Sequence, residues 1–179
     1  MTENSHDETR DAEDNERIDA LTAIPSSVRK VTEDNLALDF AADNVGWLRH
    51  AGQWNRWMFW NDTHWEVDYA VRSCGRCREF LRGVYDETTD GYYQHLCVET
   101  DFTRFKTADE KRAERRRLRN KAEMQCKAIL NLRTVQNVTN MSRSDERIRS
   151  DVAQWDGDPW LLNTPDGTVD LRTGVMKAA

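Results

Sequence analysis

The amino-acid sequence predicts an α+β fold that combines a mostly helical body with two short β-hairpins. Three observations support this prediction. Residues 107–136 begin with a helix-start signal and contain no Gly or Pro. A tryptophan-rich stretch has turn residues at Asn61-Asp62 between its aromatic runs. Near the C-terminus, Pro165-Asp166-Gly167 separates two short apolar runs. The two hairpins could pair into one small sheet.

Residues 1–28 are predicted to be a disordered acidic tail. They contain no aromatic residue and are dense in charge. Such a segment cannot bury enough apolar surface to offset its chain entropy. The remaining residues, 29–179, are sufficient for one domain with a modest core.

The first two helices are predicted from capping and apolar spacing. Thr32 is typical of a helix N-cap, and Leu36 and Phe40 follow it at helical spacing. Apolar residues three and four positions apart favour a second helix over residues 69–85. Residues 86–102 have a mixed pattern that predicts no single element.

The third helix is predicted over residues 107–136, where the first residues, Thr-Ala-Asp-Glu, resemble a capping box. A short fourth helix is expected over residues 144–155. The two hairpins are predicted over residues 55–67 and 161–171, because both stretches contain strand-forming runs on either side of turn residues.

The charge of the chain is distributed unevenly. The sequence has 26 Lys and Arg and 32 Asp and Glu, for a formal net charge of −6. Residues 1–20 account for this whole excess, and residues 103–150 carry a net charge of +8. An acidic chain would normally argue against a nucleic-acid partner, but here the acidity belongs to the tail.

A basic segment, KRAERRRLRNK, lies inside the third predicted helix. Bases three and four residues apart share one helix face, and such a stripe can follow a phosphate backbone. The residues predicted to contact DNA or RNA are Lys111, Arg112, Arg115, Arg116, Arg119 and Lys121. The alternatives are a solvated helix face and an intramolecular pairing with the acidic tail.

Five of the seven tryptophans lie within residues 47–68. Exposed tryptophans can stack on the bases of single-stranded nucleic acid. Large aromatic residues on a short hairpin also bury much area in a small sheet. The sequence favours this second interpretation, a tryptophan-rich core, with room for one exposed ring.

Four residues have the types and spacing of zinc ligands. Cys74 and Cys77 form a Cys-x-x-Cys pair, and His95 and Cys97 could complete a tetrahedral site. The alternative is that the cysteines are buried structural thiols, because the pair lies near the apolar stripe of a predicted helix.

The sequence lacks the motifs that are typical of several functional classes. The chain has no phosphate-binding loop, no Gly-x-Gly-x-x-Gly and no nucleophile elbow, so no catalytic constellation is predicted and any enzymatic role is uncertain. No apolar run approaches membrane-spanning length, and the N-terminus is unlike a secretory signal. We therefore expect a cytoplasmic protein with reduced thiols and without a membrane partner.

The C-terminal segment DPWLLNTPDGTVDLRTG, residues 158–174, closely resembles the segment that closes the N-terminal accessory domain of phage/plasmid-type primase–helicases, a domain shared with a poxvirus primase–helicase. The earlier FWNDTHWEVD is similar to a short hairpin near the start of that domain, so the resemblance covers about residues 32–179. The motif positions are Asp158, Pro159, Trp160, Leu162, Asn163, Gly167, Asp170, Leu171, Arg172, Thr173 and Gly174.

The resemblance implies an α+β accessory domain that precedes a superfamily 3 helicase in a mobile genetic element. It also implies replication initiation, duplex unwinding by the parent protein, a hexameric ring, and contact with single-stranded or forked DNA. None of the helicase motifs is present in these residues. We therefore expect no catalytic residue and no cofactor here, with ATP and Mg²⁺ needed only by a helicase domain outside this chain.

These observations predict an accessory, DNA-contacting domain of a phage or plasmid replicative primase–helicase, with the helicase ring, replication proteins or further copies of itself as partners. Two alternatives stay open. One is a non-catalytic protein-interaction adaptor whose acidic tail masks the basic helix. The other is a small zinc-binding nucleic-acid regulator.

Overall fold

The computed structural model describes Glu16 and residues 24–29, 31–164 and 166–177. The predicted acidic tail, residues 1–28, falls mostly outside these described residues. Its last part, Ile24–Val28, includes a turn, and Ile24 is buried. Within the described residues, no helix combines the length and the apolarity needed to cross a bilayer.

The predicted α+β class is confirmed. The described residues contain four α-helices and seven short strands. The helices are α1 (Glu33–Asp43), α2 (Arg72–Glu99), α3 (Ala108–Cys126) and α4 (Leu132–Ser142). The strands are β1 (Leu48–Ala51), β2 (Arg56–Trp60), β3 (Trp65–Val67), β4 (Arg149–Ser150), β5 (Leu161–Thr164), β6 (Gly167–Asp170) and β7 (Val175–Lys177). Short 3₁₀ helices cover Phe102–Arg104, Lys127–Leu130 and Val152–Gln154.

The chain divides into two compact units, and each is discontinuous in sequence. The helical unit comprises Met1–Leu36 and Arg78–Asn137, and its buried side chains include Leu81, Leu118 and Ile129. The sheet unit comprises Ala37–Cys77 and Val138–Ala179, and its buried side chains include Phe40, Leu48 and Ile148.

Helix α1 begins where the sequence predicts. The backbone N–H of Asn35 donates to Thr32 Oγ1 at 3.2 Å, which is the N-cap contact expected of a threonine. Glu33 and Asp34 occupy the first turn, where carboxylates interact favourably with the helix dipole.

Helix α2 is longer than the prediction of residues 69–85. It continues through the region with the mixed pattern and ends only at Glu99. The reason is tertiary burial, because Thr88, Tyr92 and Leu96 extend the buried stripe at helical spacing although two of them are polar.

The predicted helix over residues 107–136 is interrupted. Helix α3 ends at Cys126, a 3₁₀ turn follows, and α4 starts at Leu132. Thr134 Oγ1 donates to the carbonyl of Ala128 at 2.9 Å, so a side chain holds this break between the two helices. The sequence carries no Gly or Pro there, which is why the break was not predicted.

The prediction of a fourth helix over residues 144–155 is wrong. This segment contains the two-residue strand β4 and a 3₁₀ turn that Asp151 and Gln154 cap reciprocally. The N–H of His50 donates to the carbonyl of Ile148 at 2.8 Å. Pairing with β1 therefore holds this stretch extended, which a local pattern cannot reveal.

The tryptophan-rich hairpin is confirmed as β2 and β3, in a sheet with the strand order β3-β2-β1-β4. Asn61 Oδ1 accepts from the N–H groups of Thr63 and His64 at 3.2 and 2.9 Å, and Asp62 has a φ of +73°. This is the side-chain-assisted turn for which Asn and Asp are suited. Strand β4 adds to β1 in parallel, with His50 opposite Arg149.

The C-terminal hairpin is confirmed as β5 and β6, but its expected pairing with the first hairpin is wrong. Among the described residues it forms a separate sheet with the order β5-β6-β7. Two strands that were not predicted, β1 and β7, pair with β2 and β6, whereas β3 and β5 stay at the outer edges of their separate sheets.

Candidate nucleic-acid interface

The predicted basic stripe lies on α3, whose start is fixed by local hydrogen bonds. Thr107 Oγ1 accepts from the N–H of Glu110 at 3.1 Å, and the Glu110 carboxylate accepts from the N–H of Thr107 at 3.0 Å. The same carboxylate accepts from the N–H of Lys106 at 2.8 Å, and these backbone hydrogen bonds lower the pKa of Glu110. The capping box that the sequence predicts is therefore formed.

Helix α3 separates a buried stripe from an exposed basic surface. The buried residues recur every four positions, at Glu114, Leu118, Ala122 and Cys126. Arg119 is half-buried, whereas the other five predicted contact residues are exposed: Lys111, Arg112, Arg115, Arg116 and Lys121. The helix thus presents most of the predicted stripe to solvent.

The side chain of Arg119 forms ion pairs and a ring contact within the helical unit. Its guanidinium pairs with Asp90 on α2 and with Glu123, and it lies 5.5 Å from the ring centre of Tyr93. The hydrogen bond with Asp90 raises the pKa of Arg119 further. The structure therefore places Arg119 in the contact between α2 and α3.

The other predicted contact residues form weaker contacts within the described part of the chain, or none. The Arg115 guanidinium lies 5.5 Å from the ring centre of Phe102, and Arg112 lies 3.6 Å from Asp109 with both side chains exposed. Exposed pairs of that kind contribute little to stability. Within the described part of the chain, Arg116, Lys111 and Lys121 have no acidic partner.

Arg117, which was not among the predicted contacts, is neutralised locally. Its guanidinium donates to both carboxylate oxygens of Glu114, at 2.7 and 2.9 Å. The hydrogen bonds from Arg117 lower the pKa of Glu114, and Arg104 lies 3.7 Å from the same carboxylate. Two of the seven bases between residues 111 and 121, Arg117 and Arg119, are thus held by close carboxylates.

The predicted zinc ligands all lie on α2. Cys74 and Cys77 are in its first two turns, and His95 and Cys97 are in its last two. Among the described residues, no group of three or more His, Cys, Asp or Glu side chains is arranged to hold a metal ion. Cys77 is buried, and this burial raises the pKa of its thiol to about 11, which disfavours the thiolate that a metal requires. Zinc binding stays a prediction, which elemental analysis of the purified protein tests.

The tryptophans form a partly exposed cluster in the sheet unit. The ring of Trp65 lies 5.5 Å from Trp60 and 5.9 Å from Trp155, and Trp54 lies 6.2 Å from Trp155. Trp60, Trp65 and Trp155 are half-buried, whereas Trp54 is 45% exposed. The sequence analysis missed Trp155, since nothing in its local pattern links it to a hairpin about 90 residues earlier.

The C-terminal motif has a structural explanation. The Arg172 guanidinium donates to both oxygens of Asp158, at 2.8 and 3.0 Å, and lies 5.6 Å from the ring centre of Trp160. The N–H of Gly174 donates to the Asp170 carbonyl at 2.7 Å, and Gly174 has a φ of +69°, a value that glycine adopts easily. The bond between Gly174 and Asp170 closes the turn between β6 and β7, and Arg172 ties this turn to the segment before β5.

Other motif residues hold the hairpin itself. Asn163 donates to the carbonyl of Thr63 at 3.1 Å and accepts from Thr168 at 3.1 Å, and Gly167 pairs with Thr164 across β5 and β6. Leu162 and Leu171 are exposed, at 51% and 50%. Among the residues that the structure describes, no contact of Pro159 explains its presence in the motif.

This fold and this motif define the N-terminal accessory domain of a primase–helicase. The family model described as "D5 N terminal like" matches residues 34–179. The chain belongs to this family, the N-terminal domain of D5-like phage and poxvirus primase–helicase proteins. No curated protein and no solved structure gives a significant match to the chain.

Proposed function

We propose that this chain is the DNA-contacting accessory domain of a phage or plasmid replicative primase–helicase. Its family places it in the N-terminal region of such proteins. The single observation that supports DNA contact is the exposed surface of α3, which carries Lys111, Arg112, Arg115, Arg116 and Lys121. In the full protein, the domain precedes a superfamily 3 helicase ring and guides single-stranded or forked DNA towards it.

The geometry of α3 supports binding to a phosphate backbone. Arg112 and Arg116 are four residues apart and therefore project from the same side of the helix. Within the described residues neither is bound to a buried carboxylate, so both guanidinium groups can turn towards a phosphate without breaking a buried ion pair of that region. A contact of this type carries little sequence preference and weakens with salt.

The test is fluorescence anisotropy with labelled single-stranded and forked DNA over a series of salt concentrations. The double variant Arg112→Gln/Arg116→Gln should bind more weakly than the wild type. For single-stranded DNA, its plot of log affinity against log salt should be shallower by about 1.4, because two phosphate contacts are lost.

The matched control is Arg78→Gln/Arg82→Gln, which removes the same charge from exposed positions of α2. This control should keep the wild-type salt dependence. DNA contact through α3 is refuted if the wild-type chain shows no DNA binding at low ionic strength, or if both double variants lose the same slope.

A further inference from the structure

A cavity of about 850 Å³ lies in the sheet unit. It is formed where β4 pairs in parallel with β1, so His50 and Arg149 lie opposite each other at its wall. Ser150, the second residue of β4, and Arg143, which follows α4, also line it. The cavity therefore brings together two arginines, a histidine and a hydroxyl.

Two of these residues have buried polar atoms without a hydrogen-bond partner among the described residues. They are Nε of Arg143 and Oγ of Ser150. Ser150 is 8% exposed and His50 is 6% exposed, so both are more than nine-tenths buried. Polar groups in such a setting cost free energy unless a partner satisfies them, and a ligand with several acceptor oxygens would do so.

Charged side chains of both signs line the cavity, two arginines and two acids. Glu146 pairs with Arg149 at 3.0 Å. Asp151 caps the following 3₁₀ turn by accepting from the N–H of Ala153 at 2.8 Å, and its other carboxylate oxygen accepts from Gln53 Nε2 at 3.4 Å. Glu146 is therefore paired with Arg149, whereas neither Asp151 nor Arg143 has an ion pair within the described residues. The guanidinium of Arg143 can therefore turn to a ligand without breaking a salt bridge, and an arginine is suited to hold a phosphate.

A groove of about 600 Å³ adjoins this cavity, and the two share Gln154 as a lining residue. Its aromatic wall consists of Trp54, Trp60, Trp65 and Trp155. The Arg49 guanidinium lies 5.4 Å from the ring centre of Trp65 and fixes it on one side. Trp54 is the most exposed of the four, and its ring is held against Trp155.

We propose that the cavity and the groove bind one nucleotide unit of single-stranded DNA. Arg143, Ser150 and His50 hold the phosphate, and the unpaired base stacks on Trp54. An unpaired base is required, because a base inside a duplex cannot offer its face to a tryptophan. The adjacent aromatic wall makes a nucleotide unit a better match than inorganic phosphate alone.

The test is quenching of the intrinsic tryptophan fluorescence of the full chain by a ten-nucleotide oligothymidylate, at about 50 mM NaCl, where phosphate contacts are strong. A duplex of the same length and inorganic phosphate are titrated in parallel. We expect saturable quenching by the single strand, weaker quenching by the duplex, and competition by phosphate only at much higher concentration.

Two variants test the two halves of the site. Arg143→Gln should weaken single-strand binding about tenfold through loss of a charge-assisted contact. Trp54→Ala should weaken it about 5- to 100-fold through loss of stacking. The matched control is Trp47→Ala, because Trp47 is similarly exposed, at 41%, but does not line the groove.

Circular dichroism and thermal unfolding establish that each variant is folded. If Arg143→Gln does not fold, Trp54→Ala still tests the proposal, since the side chain of Trp54 is 45% exposed and lies outside the buried core. The proposal is overturned if both variants bind the single strand as the wild type does, or if phosphate quenches as effectively as the oligonucleotide.

The Arg112→Gln/Arg116→Gln variant separates this site from α3. Its oligonucleotide quenching should persist even where its overall affinity falls. If this variant abolishes all binding while Arg143→Gln and Trp54→Ala have no effect, the α3 interface stands and the cavity proposal fails. If instead Arg143→Gln and Trp54→Ala abolish binding while the α3 double variant binds as the wild type does, the cavity proposal stands and DNA contact through α3 is refuted.

Discussion

Gly91, on α2, allows the chain before α1 to approach the helix closely. A Cβ atom at this position would lie 2.8 Å from Cγ1 of Val28. Carbon atoms pack best at about 3.5–4.0 Å, so Gly91→Ala would create an overlap of about 1 Å with a short, stiff side chain. The variant therefore tests directly whether Val28 lies against α2.

The expected magnitude follows from two opposing effects. Alanine is better than glycine inside a helix by about 1 kcal/mol. Overpacking of a well-packed contact costs about 1–3 kcal/mol. Gly91→Ala should therefore lower the free energy of unfolding by about 0–2 kcal/mol. The matched control is Gly83→Ala on the same helix, where a Cβ meets nothing within 4 Å. That variant should be more stable by about 0.5–1 kcal/mol.

The assay is urea unfolding followed by circular dichroism, with the melting temperature as a second measure. For a chain of this length, 1 kcal/mol shifts the melting temperature by about 2–4 °C. A double-mutant cycle with Val28→Ala should show a coupling energy of about 1 kcal/mol or more. The reasoning is refuted if Gly91→Ala stabilises the protein as much as Gly83→Ala, or if the cycle is additive.

Three further predictions concern single side chains. Burial, and to a smaller extent the charge of Arg143, lowers the pKa of His50 below 6.5. As the pH falls, the imidazole of the unfolded chain is therefore protonated before that of the folded chain. The stability contributed by neutral His50 is complete above about pH 6.5 and is lost as the pH falls towards the folded-state pKa; in urea unfolding at a series of pH values, His50→Gln should flatten this decline. Ellman's reagent at about pH 8 should label the two half-buried thiols but spare Cys77 and Cys126 until urea is added, because burial raises the pKa of both thiols. Thr107→Ala should lower the free energy of unfolding by about 1 kcal/mol and Thr107→Ser by less, and equal stability of all three proteins would contradict the capping role.

Features encoded within a few neighbouring residues could be predicted from the sequence. The capping box at Thr107 and the turn at Asn61 depend on side chains that bond to the backbone two or three residues away. The family motif was also recognisable, because its turn uses Gly174, whose N–H donates to the carbonyl of Asp170 four residues earlier. Such signals survive without any knowledge of the rest of the fold.

Features that depend on distant partners could not be predicted. Strand β4 is only two residues long and pairs with β1, which lies about 100 residues earlier. The role of Arg119 depends on Asp90, 29 residues away on another helix. Trp155 gave no local sign that it joins the tryptophan cluster. In each case the deciding contact is tertiary, so local periodicity carries no information about it.

The two-residue strand β4 also has a consequence for the time during which the chain is synthesised. The β1 edge of the tryptophan-rich sheet stays without its partner until about 100 more residues have been added, which takes about 5–20 s at bacterial elongation rates. An unpaired edge beside exposed aromatic residues is a template for association with other nascent chains. We therefore expect the ribosome-bound chain to expose this edge, and slow codons placed before Arg149 would lengthen that exposure.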